Sequence, residues 1–394
     1  MKEQLLHTPE GVRDIYNIEC EQKLQLEADM MSVFRMYGYH PIQTPTFEFF
    51  DIFGKQIGST SAKDLYKFFD KEGNTLVLRP DITPSIARSA SKYFMDEASP
   101  IRLCYVGNTF INNQNYQGRL KECTQAGAEL LGDPSVDADA EIIALAIGSL
   151  KTAGLKDFQI SVGHVDYLGG LFDAAGMDET TETKVKELIN NKNFYGVDEI
   201  VSKLDLSNEL LELFHMLHSY AITPEDLKHT MDLAKAYPRV LSALNHMEAL
   251  YHILKIYGIE QYVSFELAML SGLEYYTGMI FAGYTYGTGE AIVKGGRYDQ
   301  LLNYFGKNSA ATGFVIVIDQ LMAALARQNI QIPVKRNITW IVYKQERLDV
   351  AIAKAMELRA QGIGVELMKV TQDMSKQMYE VSAQNQQIKE VIYI

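Results

Sequence analysis

The sequence predicts an α+β fold with an antiparallel sheet flanked by helices, a helical insertion and a small C-terminal α/β module. Three observations lead to this class. Residues 260–318 alternate short apolar strands with glycine turns, which is typical of an antiparallel sheet. Residues 167–258 carry Met and Leu stripes at helical spacing, which indicates an inserted helical subdomain. Residues 336–394 alternate three strand patterns with two helix patterns, which indicates a separate α/β module.

Composition places the chain among ordinary globular proteins. It has 394 residues, of which 47% are hydrophobic and 22% charged, enough for one large domain and a smaller one. We divide it into a core, residues 1–330, which contains the insertion, and the module 336–394, joined by a linker around Pro333. The net charge of −13 disfavours free-standing nucleic-acid binding, because an acidic surface repels phosphate backbones.

Cysteine usage and hydropathy favour a cytoplasmic protein. Cys20, Cys104 and Cys123 are far apart and form no CxxC pair, so we expect neither a disulfide framework nor a zinc site. The N-terminus is polar, and no run approaches the roughly 18 apolar residues of a membrane span, so we expect neither a signal peptide nor a membrane segment. The sequence has no P-loop, HExxH or GxSxG motif, and we expect no cofactor and no metal.

The N-terminal half contains helices and a hairpin at clear positions. Residues 17–36 have apolar side chains at helical spacing, and Gly38 should end this helix. Residues 64–70 and 75–79 are predicted to form a hairpin across a glycine-containing turn. Two strands then flank a polar loop, and a helix near residues 136–153 closes this half.

Asp81 and Thr83 are the first candidate ligand-binding residues. They lie two positions apart in an extended segment and therefore share a face, so Asp81 could pair with a ligand amine while Thr83 assists. Thr83 followed by Pro84 is also a helix-start signal, with the hydroxyl as N-cap and the proline at the first helical position. An aspartate beside a helix N-terminus is also favoured by the helix dipole, so a structural role stays open for both residues.

A second candidate group lies on the strand that follows the polar loop. Gln125, Gly127 and Glu129 share one face, where a glycine between an amide and a carboxylate makes a notch for a ligand amine. If this face is buried, its polar groups must be satisfied. The alternative is that these residues face solvent and that 124, 126, 128 and 130 face the core, a pattern that is equally regular. The residues alone leave both possibilities open.

Two further motifs allow both a functional and a structural interpretation. SGLEYYTGMIF places Tyr275 and Tyr276 between glycines, where rigid rings and hydroxyls could orient a ligand, although packing is the more common role of paired aromatics. KGGRYDQLL places two glycines before Arg297, which could let a nucleotide approach the backbone. A tight turn explains those glycines equally well.

Taken in order, these motifs resemble histidyl-tRNA synthetase, a class II aminoacyl-tRNA synthetase. TPEGVRDI (8–15) is similar to the family's N-terminal signature, and MYGYHPIQTPTFE (36–48) is similar to class II motif 1, which lies at the homodimer interface there. LRPDITPSIAR, the stretch 125–129, SGLEYYTG and GGRYD each match a further block. The resemblance covers roughly residues 7–325 and implies the class II antiparallel sheet, while 336–394 is similar to a truncated anticodon-binding module.

The resemblance implies that the parts that hold histidine are retained and that those that hold ATP are lost. The implied histidine-binding residues are Asp81, Thr83, Gln125, Glu129, Tyr275 and Tyr276. Asp81 stands where the synthetases usually have Glu. The phosphate-binding Arg of motif 2 is replaced by Ile111, and the Arg before Gly-Leu-Asp-Tyr-Tyr by Ser271. Motif 3 ends in Asp319-Gln320 where the family has Glu-Arg.

These replacements argue against adenylation. Guanidinium groups bind phosphate bidentately, and losing one preorganised donor typically costs about 10²–10³-fold in rate. Arg297 remains but cannot supply the site alone, and we identify no nearby lysine or arginine as a substitute, since Arg119 lies after the loop. From 335 to 394, nine Lys and Arg stand against seven Asp and Glu, a net of +2, which is a weak footprint for tRNA. We therefore expect a non-catalytic chain that does not bind tRNA.

With a histidine pocket but no ATP site, the chain resembles the regulatory subunits of ATP phosphoribosyltransferase. The resemblance implies a subunit required for the first step of histidine biosynthesis and for its feedback regulation by histidine. The implied partners are the short-form catalytic subunit and a second copy, as a class II-type homodimer within a hetero-octamer, with histidine as ligand. Histidine could instead bind at a subunit interface. Two alternatives are a divergent but active histidyl-tRNA synthetase and a synthetase-like chain that acts on another amino acid or protein.

Overall fold

A computed structural model describes residues 6–54, 60–112, 120–219, 221–271, 275–334, 336–371 and 374–394. The loop residues 113–119, which include Arg119, and residues 272–274 lie outside this set. The chain divides into two compact units, Met1–Ile332 and Pro333–Ile394. Across the ranges given above, no helix is long and apolar enough to cross a membrane.

The described residues form fourteen strands in three sheets. In chain order the strands are β1 (His40–Pro41), β2 (Phe47–Phe49), β3 (Lys67–Phe69), β4 (Thr75–Leu78), β5 (Ile101–Phe110), β6 (Glu122–Leu131), β7 (Phe158–His164), β8 (Val263–Phe265), β9 (Met279–Thr285), β10 (Val293–Arg297), β11 (Ala311–Val317), β12 (Ile338–Tyr343), β13 (Gly364–Lys369) and β14 (Glu390–Tyr393). The main sheet has the order β1-β5-β6-β11-β10-β9-β7-β8, a small sheet in the same unit has the order β2-β4-β3, and the second unit has the order β13-β12-β14.

The helices surround these sheets. In chain order they are α1 (Asn17–Met36), α2 (Asp51–Gly54), α3 (Thr83–Tyr93), α4 (Val136–Thr152), α5 (Val165–Ala174), α6 (Glu179–Asn190), α7 (Phe194–Val201), α8 (Asn208–His215), α9 (Pro224–Leu233), α10 (Pro238–Ile256), α11 (Ile318–Arg327), α12 (Leu348–Ala360) and α13 (Lys376–Asn385). Helices α5 to α10 lie between β7 and β8 in the chain.

The main sheet is antiparallel from β5 through to β7, as predicted, and parallel at both edges. Strand β1 pairs parallel with β5, and β8 pairs parallel with β7. Parallel neighbours need a long crossover connection, and the helices between β7 and β8 provide one. The second unit has parallel pairs only, consistent with the alternation of strands and helices in its sequence.

Strand β6 is buried on both faces, which settles the alternative that the sequence left open. Ala126, Ala128 and Leu130 lie in the main hydrophobic core with α1 and α4. On the other face Glu129 is only 1% exposed, so the solvent-facing alternative is wrong. Both alternating patterns looked equally regular because a central strand that is covered on both sides has no solvent face.

Local signals placed several elements correctly. Helix α1 ends at Met36, and Gly38 follows it with a φ of 82°, the left-handed conformation that glycine adopts without strain. The predicted hairpin is confirmed as the antiparallel pair β3 and β4. The predicted helix near 136–153 is α4, capped by the Ser135 hydroxyl.

Candidate functional site

A cavity of about 230 Å³ lies on the face of the main sheet that carries Gln125 and Glu129. All six residues assigned above to the pocket line it, although they come from three separate parts of the chain. They are Asp81, Thr83, Gln125, Glu129, Tyr275 and Tyr276. The structure therefore brings the whole predicted set to one cavity, with β6 supplying one wall and the start of α3 another.

Glycines make room for the side chains above the sheet. Gly313 of β11 lies between Glu129 and Gly296 in the register of the sheet. A Cβ at Gly313 would come within 1.7 Å of the Glu129 carboxyl, and one at Gly296 would come within 2.8 Å of the Tyr276 ring. The glycine of GGRYD next to Arg297 thus lets an aromatic ring lie against the backbone, a use that the sequence did not distinguish from a tight turn.

Glu129 is the most enclosed acidic group of the cavity. Its carboxyl accepts hydrogen bonds from the hydroxyls of Thr83 (2.9 Å), Tyr105 (3.3 Å) and Tyr298. Burial, with a smaller contribution from the nearby Asp81, raises the pKa of Glu129 to about 8 against the opposing effect of the three hydroxyls. A ligand group that carries a positive charge would favour the ionised form of this carboxyl.

Asp81 has a different environment at the start of α3. Its carboxylate accepts hydrogen bonds from the Tyr275 hydroxyl (3.1 Å) and from the backbone N–H of Thr83 (3.2 Å). The prediction that the Thr83 hydroxyl caps this helix is wrong, because Ile82 is the N-cap residue and the hydroxyl donates to Glu129 instead. Asp81 takes over the role of the capping acceptor, and the helix dipole favours its negative charge.

Gln125 presents an unsatisfied acceptor. Its side chain lines the cavity, and within the described part of the chain its buried carbonyl oxygen has no hydrogen-bond partner. A buried polar atom without a partner costs about 1–3 kcal/mol. An N–H group of a ligand in the cavity would satisfy this oxygen.

Four tyrosines enclose the two carboxyls, and sequence reasoning identified only two of them. The rings of Tyr275 and Tyr276 lie 5.0 Å apart, and Tyr298 meets Tyr275 edge-on at 5.8 Å. Burial raises the pKa of each of these phenols, and that of Tyr105, so they stay protonated at neutral pH. Tyr105, Tyr275 and Tyr298 donate hydrogen bonds to the two carboxyls. Tyr105 could have been found, because it lies directly opposite Gly127 in the antiparallel pair of β5 and β6.

The positive charges in this region are arranged differently from the sequence-based expectation. Arg297 points to the opposite face of the sheet, where its guanidinium pairs with the fully buried Asp139 at 2.9 Å and donates to the carbonyls of Asp133 and Ser135. Lys294, three residues earlier, lines the cavity, and sequence reasoning did not single it out. Alternation along β10 explains both positions.

The other positions at which the resemblance implies a lost arginine also contribute no positive charge to the cavity. Ile111 lines the cavity at the position of the motif 2 arginine. Asp319 is engaged elsewhere, since it accepts the backbone N–H of Thr124 at 2.7 Å and lies 3.6 Å from the Lys23 amine. Among the described residues that line the cavity, Lys294 carries the single positive charge.

A separate cluster with metal-ligating atoms lies in the helical insertion. Asp198 of α7 lies 3.5 Å from a ring nitrogen of His215 and 3.2 Å from one of His218. Asp198 is distant from the two histidines in sequence, so only the packing of the helices brings the three side chains together. These side chains lie at the surface and take no part in the cavity.

The chain is similar to known proteins over nearly all of its length. The family described as Histidyl-tRNA synthetase matches residues 11–321. The ATP phosphoribosyltransferase regulatory subunit of Acetivibrio thermocellus is 40% identical over 93% of this chain and 88% of the relative. That of Ruminiclostridium cellulolyticum is 39% identical over 99% of this chain and 92% of the relative.

A solved structure shows the same architecture. It is described as an ATP phosphoribosyltransferase regulatory subunit/histidyl-tRNA synthetase from Bacillus halodurans. It is 33% identical, covers 99% of this chain and 98% of its own, and superposes with a TM-score of 0.85. The chain thus belongs to the ATP phosphoribosyltransferase regulatory subunit family and has the fold of histidyl-tRNA synthetase.

Proposed function

We propose that this chain is a cytoplasmic, non-catalytic regulatory subunit that binds histidine in the cavity over β6 and controls a short-form ATP phosphoribosyltransferase. The observation that carries the proposal is the composition of the cavity. It combines two buried carboxyls and an unsatisfied amide oxygen with three tyrosines, and its described lining contains no arginine.

Histidine matches this lining. Its ammonium and imidazole offer N–H donors, and Asp81, Glu129 and Gln125 offer acceptors. The tyrosine rings restrict the orientation of a flat imidazole between them, as rigid aromatic side chains do in other pockets. Asp81 and Glu129 would meet the amine or the imidazole, and Gln125 and the tyrosines would fix the orientation of the ligand.

We also propose that the chain does not catalyse the synthetase reaction, because the arginines that would bind ATP are missing or engaged elsewhere. Ile111 and Ser271 carry no charge, Gln320 replaces the motif 3 arginine, and Arg297 is held in a buried ion pair. A single lysine is a point charge and cannot reproduce bidentate arginine contacts to a triphosphate. Histidine-dependent exchange of pyrophosphate with ATP by the purified chain would instead support the alternative of an active histidyl-tRNA synthetase.

Regulation follows if histidine binding and the activity of the partner are coupled. The names of the relatives describe regulatory subunits of ATP phosphoribosyltransferase, and we extend that partnership to this chain. Feedback is then a coupling free energy between this cavity and the active site of the partner, and linkage makes it reciprocal for binding. Histidine bound at a subunit interface is the competing arrangement.

An exposed aromatic face supports self-association. Phe47 and Phe49 of β2 are 52% and 56% exposed, and the ring of Phe68 on β3 packs edge-on against Phe47 at 5.8 Å. Glu48 between them points inward and pairs with Arg88 at 2.6 Å. Phe47 lies in the segment that resembles motif 1, so we propose that this face contributes to a class II-type homodimer within a hetero-octamer.

Calorimetric titration of the purified chain with a panel of amino acids tests the ligand. We expect histidine alone to bind at micromolar to submillimolar concentrations, and Asp81→Asn to weaken it by about tenfold or more, because a charge-assisted hydrogen bond is lost. Glu225→Gln, at an exposed position of α9, is the matched control. Preferential binding of another amino acid, or unchanged affinity in Asp81→Asn, would contradict the proposed pocket.

A further inference from the structure

Lys294 lies one row of residues away from Glu129 on the floor of the cavity. In the register of the sheet, Lys294 of β10 pairs with Val315 of β11, which pairs with Gly127 of β6. Residues of one row share a face, so the lysine side chain leaves the sheet on the same side as Gln125 and Glu129. With strands about 4.8 Å apart, the two inter-strand spacings from Lys294 to Gly127 amount to about 10 Å, within reach of a small ligand and a long side chain.

Lys294 also lines a second cavity, of about 430 Å³, next to the first. Tyr276 and Lys294 contribute to both cavities, and Ser271 lines the second one. Ser271 occupies the position where the resemblance places an arginine. The positive charge lost from residue 271 is thus replaced by an amine that enters the same space from a neighbouring strand.

The amine of Lys294 is available for a ligand. Within the described residues it has no carboxylate within ion-pair distance and no hydrogen-bond partner, whereas Arg297 on the same strand is fully engaged. The lining of the first cavity otherwise contains two acidic side chains, Asp81 and Glu129. Without Lys294 such a cavity would attract cations and repel the carboxylate of any amino acid.

We propose that Lys294 binds the α-carboxylate of the ligand and makes the cavity select zwitterionic amino acids over amines of the same shape. The unsatisfied Gln125 oxygen, one row further along the same face, accepts an N–H from the ligand. A lysine suits this task, since a carboxylate needs one compact positive charge and no bidentate grip on phosphate. The inference rests on the proposed function, because it assumes that the ligand is histidine.

Paired titrations with histidine and histamine, which lacks the carboxylate, separate the two claims. The wild-type chain should prefer histidine by about tenfold or more, as expected for a charge-assisted contact. Lys294→Met, which keeps the length and apolar stem of the side chain, should remove this preference. It should weaken histidine binding by the same factor and leave histamine binding unchanged or stronger, because a like charge is removed.

Two further variants control for folding and for general charge. Lys294→Arg should retain the preference for histidine. Lys228→Met, at an exposed lysine of α9 outside both cavities, should behave as wild type with both ligands. Melting temperatures of all variants, measured alongside, should stay within a few degrees of wild type.

The possible outcomes are distinguishable. If wild type binds histidine and Lys294→Met keeps the same preference over histamine, the role of Lys294 is wrong and the proposed function stands. If Lys294→Met weakens both ligands equally, the lysine shapes the cavity and does not bind the carboxylate, which also overturns the inference. If wild type binds neither ligand, the histidine pocket itself fails, and the inference fails with it.

Discussion

At the scale of single residues, the pocket depends on how one buried carboxyl is satisfied. The carboxyl of Glu129 accepts hydrogen bonds from three hydroxyls, and Gly313 next to it has no side chain, which leaves room for the carboxyl. Burial still dominates its ionisation and holds its pKa near 8. This carboxyl is therefore largely protonated at neutral pH, and a cationic ligand would favour its ionised form.

The raised pKa of Glu129 predicts how stability depends on pH. Its pKa rises from 4.5 to about 8 on folding, so the native state binds more protons between these values. The free energy of unfolding should therefore fall as pH rises from about 5 to 8, by an amount on the order of a few kcal/mol from this group. Glu129→Gln removes the titration and should show a flatter dependence in urea unfolding at pH 5 and pH 8. If the free energy of unfolding changed equally with pH in wild type and variant, the raised pKa of Glu129 would be contradicted.

Residue types predicted part of the pocket and missed part of it. Asp81 and Gln125 were identified because each lies in a short sequence motif that resembles a motif of a known family. Lys294 was missed because its relation to Gln125 depends on strand order, which brings β10 beside β11 and β11 beside β6. The Thr83 hydroxyl was assigned to its own helix because local signals cannot show a partner that is 46 residues away.

At the scale of elements, the alternation of side chains along β10 places its lysine and its arginine on opposite faces of the sheet. It directs Lys294 and Gly296 toward the cavity and Arg297 toward α4. The side chains of Arg297 and Asp139 are 6% and 0% exposed, so their ion pair is buried. His246 of α10 adds a contact to the same aspartate at 2.9 Å and so connects the insertion to the sheet.

Breaking this buried pair should destabilise the larger unit strongly. Arg297→Met leaves a buried carboxylate without its main partner, and we expect the free energy of unfolding to fall by about 3–5 kcal/mol. Arg239→Met is the matched control, because Arg239 is 49% exposed and pairs with Asp166 at 2.6 Å near the surface. The control should lose no more than about 1 kcal/mol in the same denaturant series. If both variants lost a similar free energy of unfolding, burial of the Arg297–Asp139 pair would not be the reason for the loss.

Elements were predictable where the pattern is local. Gly38 ends α1, and the turn at Gly73 joins β3 to β4, because left-handed glycines mark ends and turns wherever they occur. The parallel pairing of the edge strands β1 and β8 was not predicted. Their pairing depends on crossover connections, and the apolar pattern of a short strand does not distinguish a parallel neighbour from an antiparallel one.

At the scale of the whole molecule, the exposed surface bears on how the chain assembles with other chains. The aromatic face of the small sheet presents Phe47, Phe49 and Phe68 to solvent in a single chain. Large exposed apolar patches mark interaction surfaces. The ordered motif blocks identified the family from sequence, but the aromatic face required the register of β2, β4 and β3.

Replacing part of this face should dissociate the proposed homodimer. Phe47→Ser with Phe49→Ser removes two exposed rings without disturbing Glu48 on the other side of β2. We expect sedimentation velocity at micromolar concentration to show a dimer for wild type and mostly monomer for the variant. Tyr195→Ser, at a tyrosine that is 81% exposed in the insertion, should remain dimeric. A dimeric double variant would place the interface elsewhere.

Histidine inhibition of the reconstituted complex tests the central claim most directly. The short-form catalytic subunit is assayed with wild-type chain or with the Asp81→Asn variant over a range of histidine concentrations. We predict that both chains activate the partner, and that Asp81→Asn raises the histidine concentration for half-inhibition by about tenfold or more. Failure of the wild-type chain to activate the partner, or equal inhibition with both chains, would contradict the account.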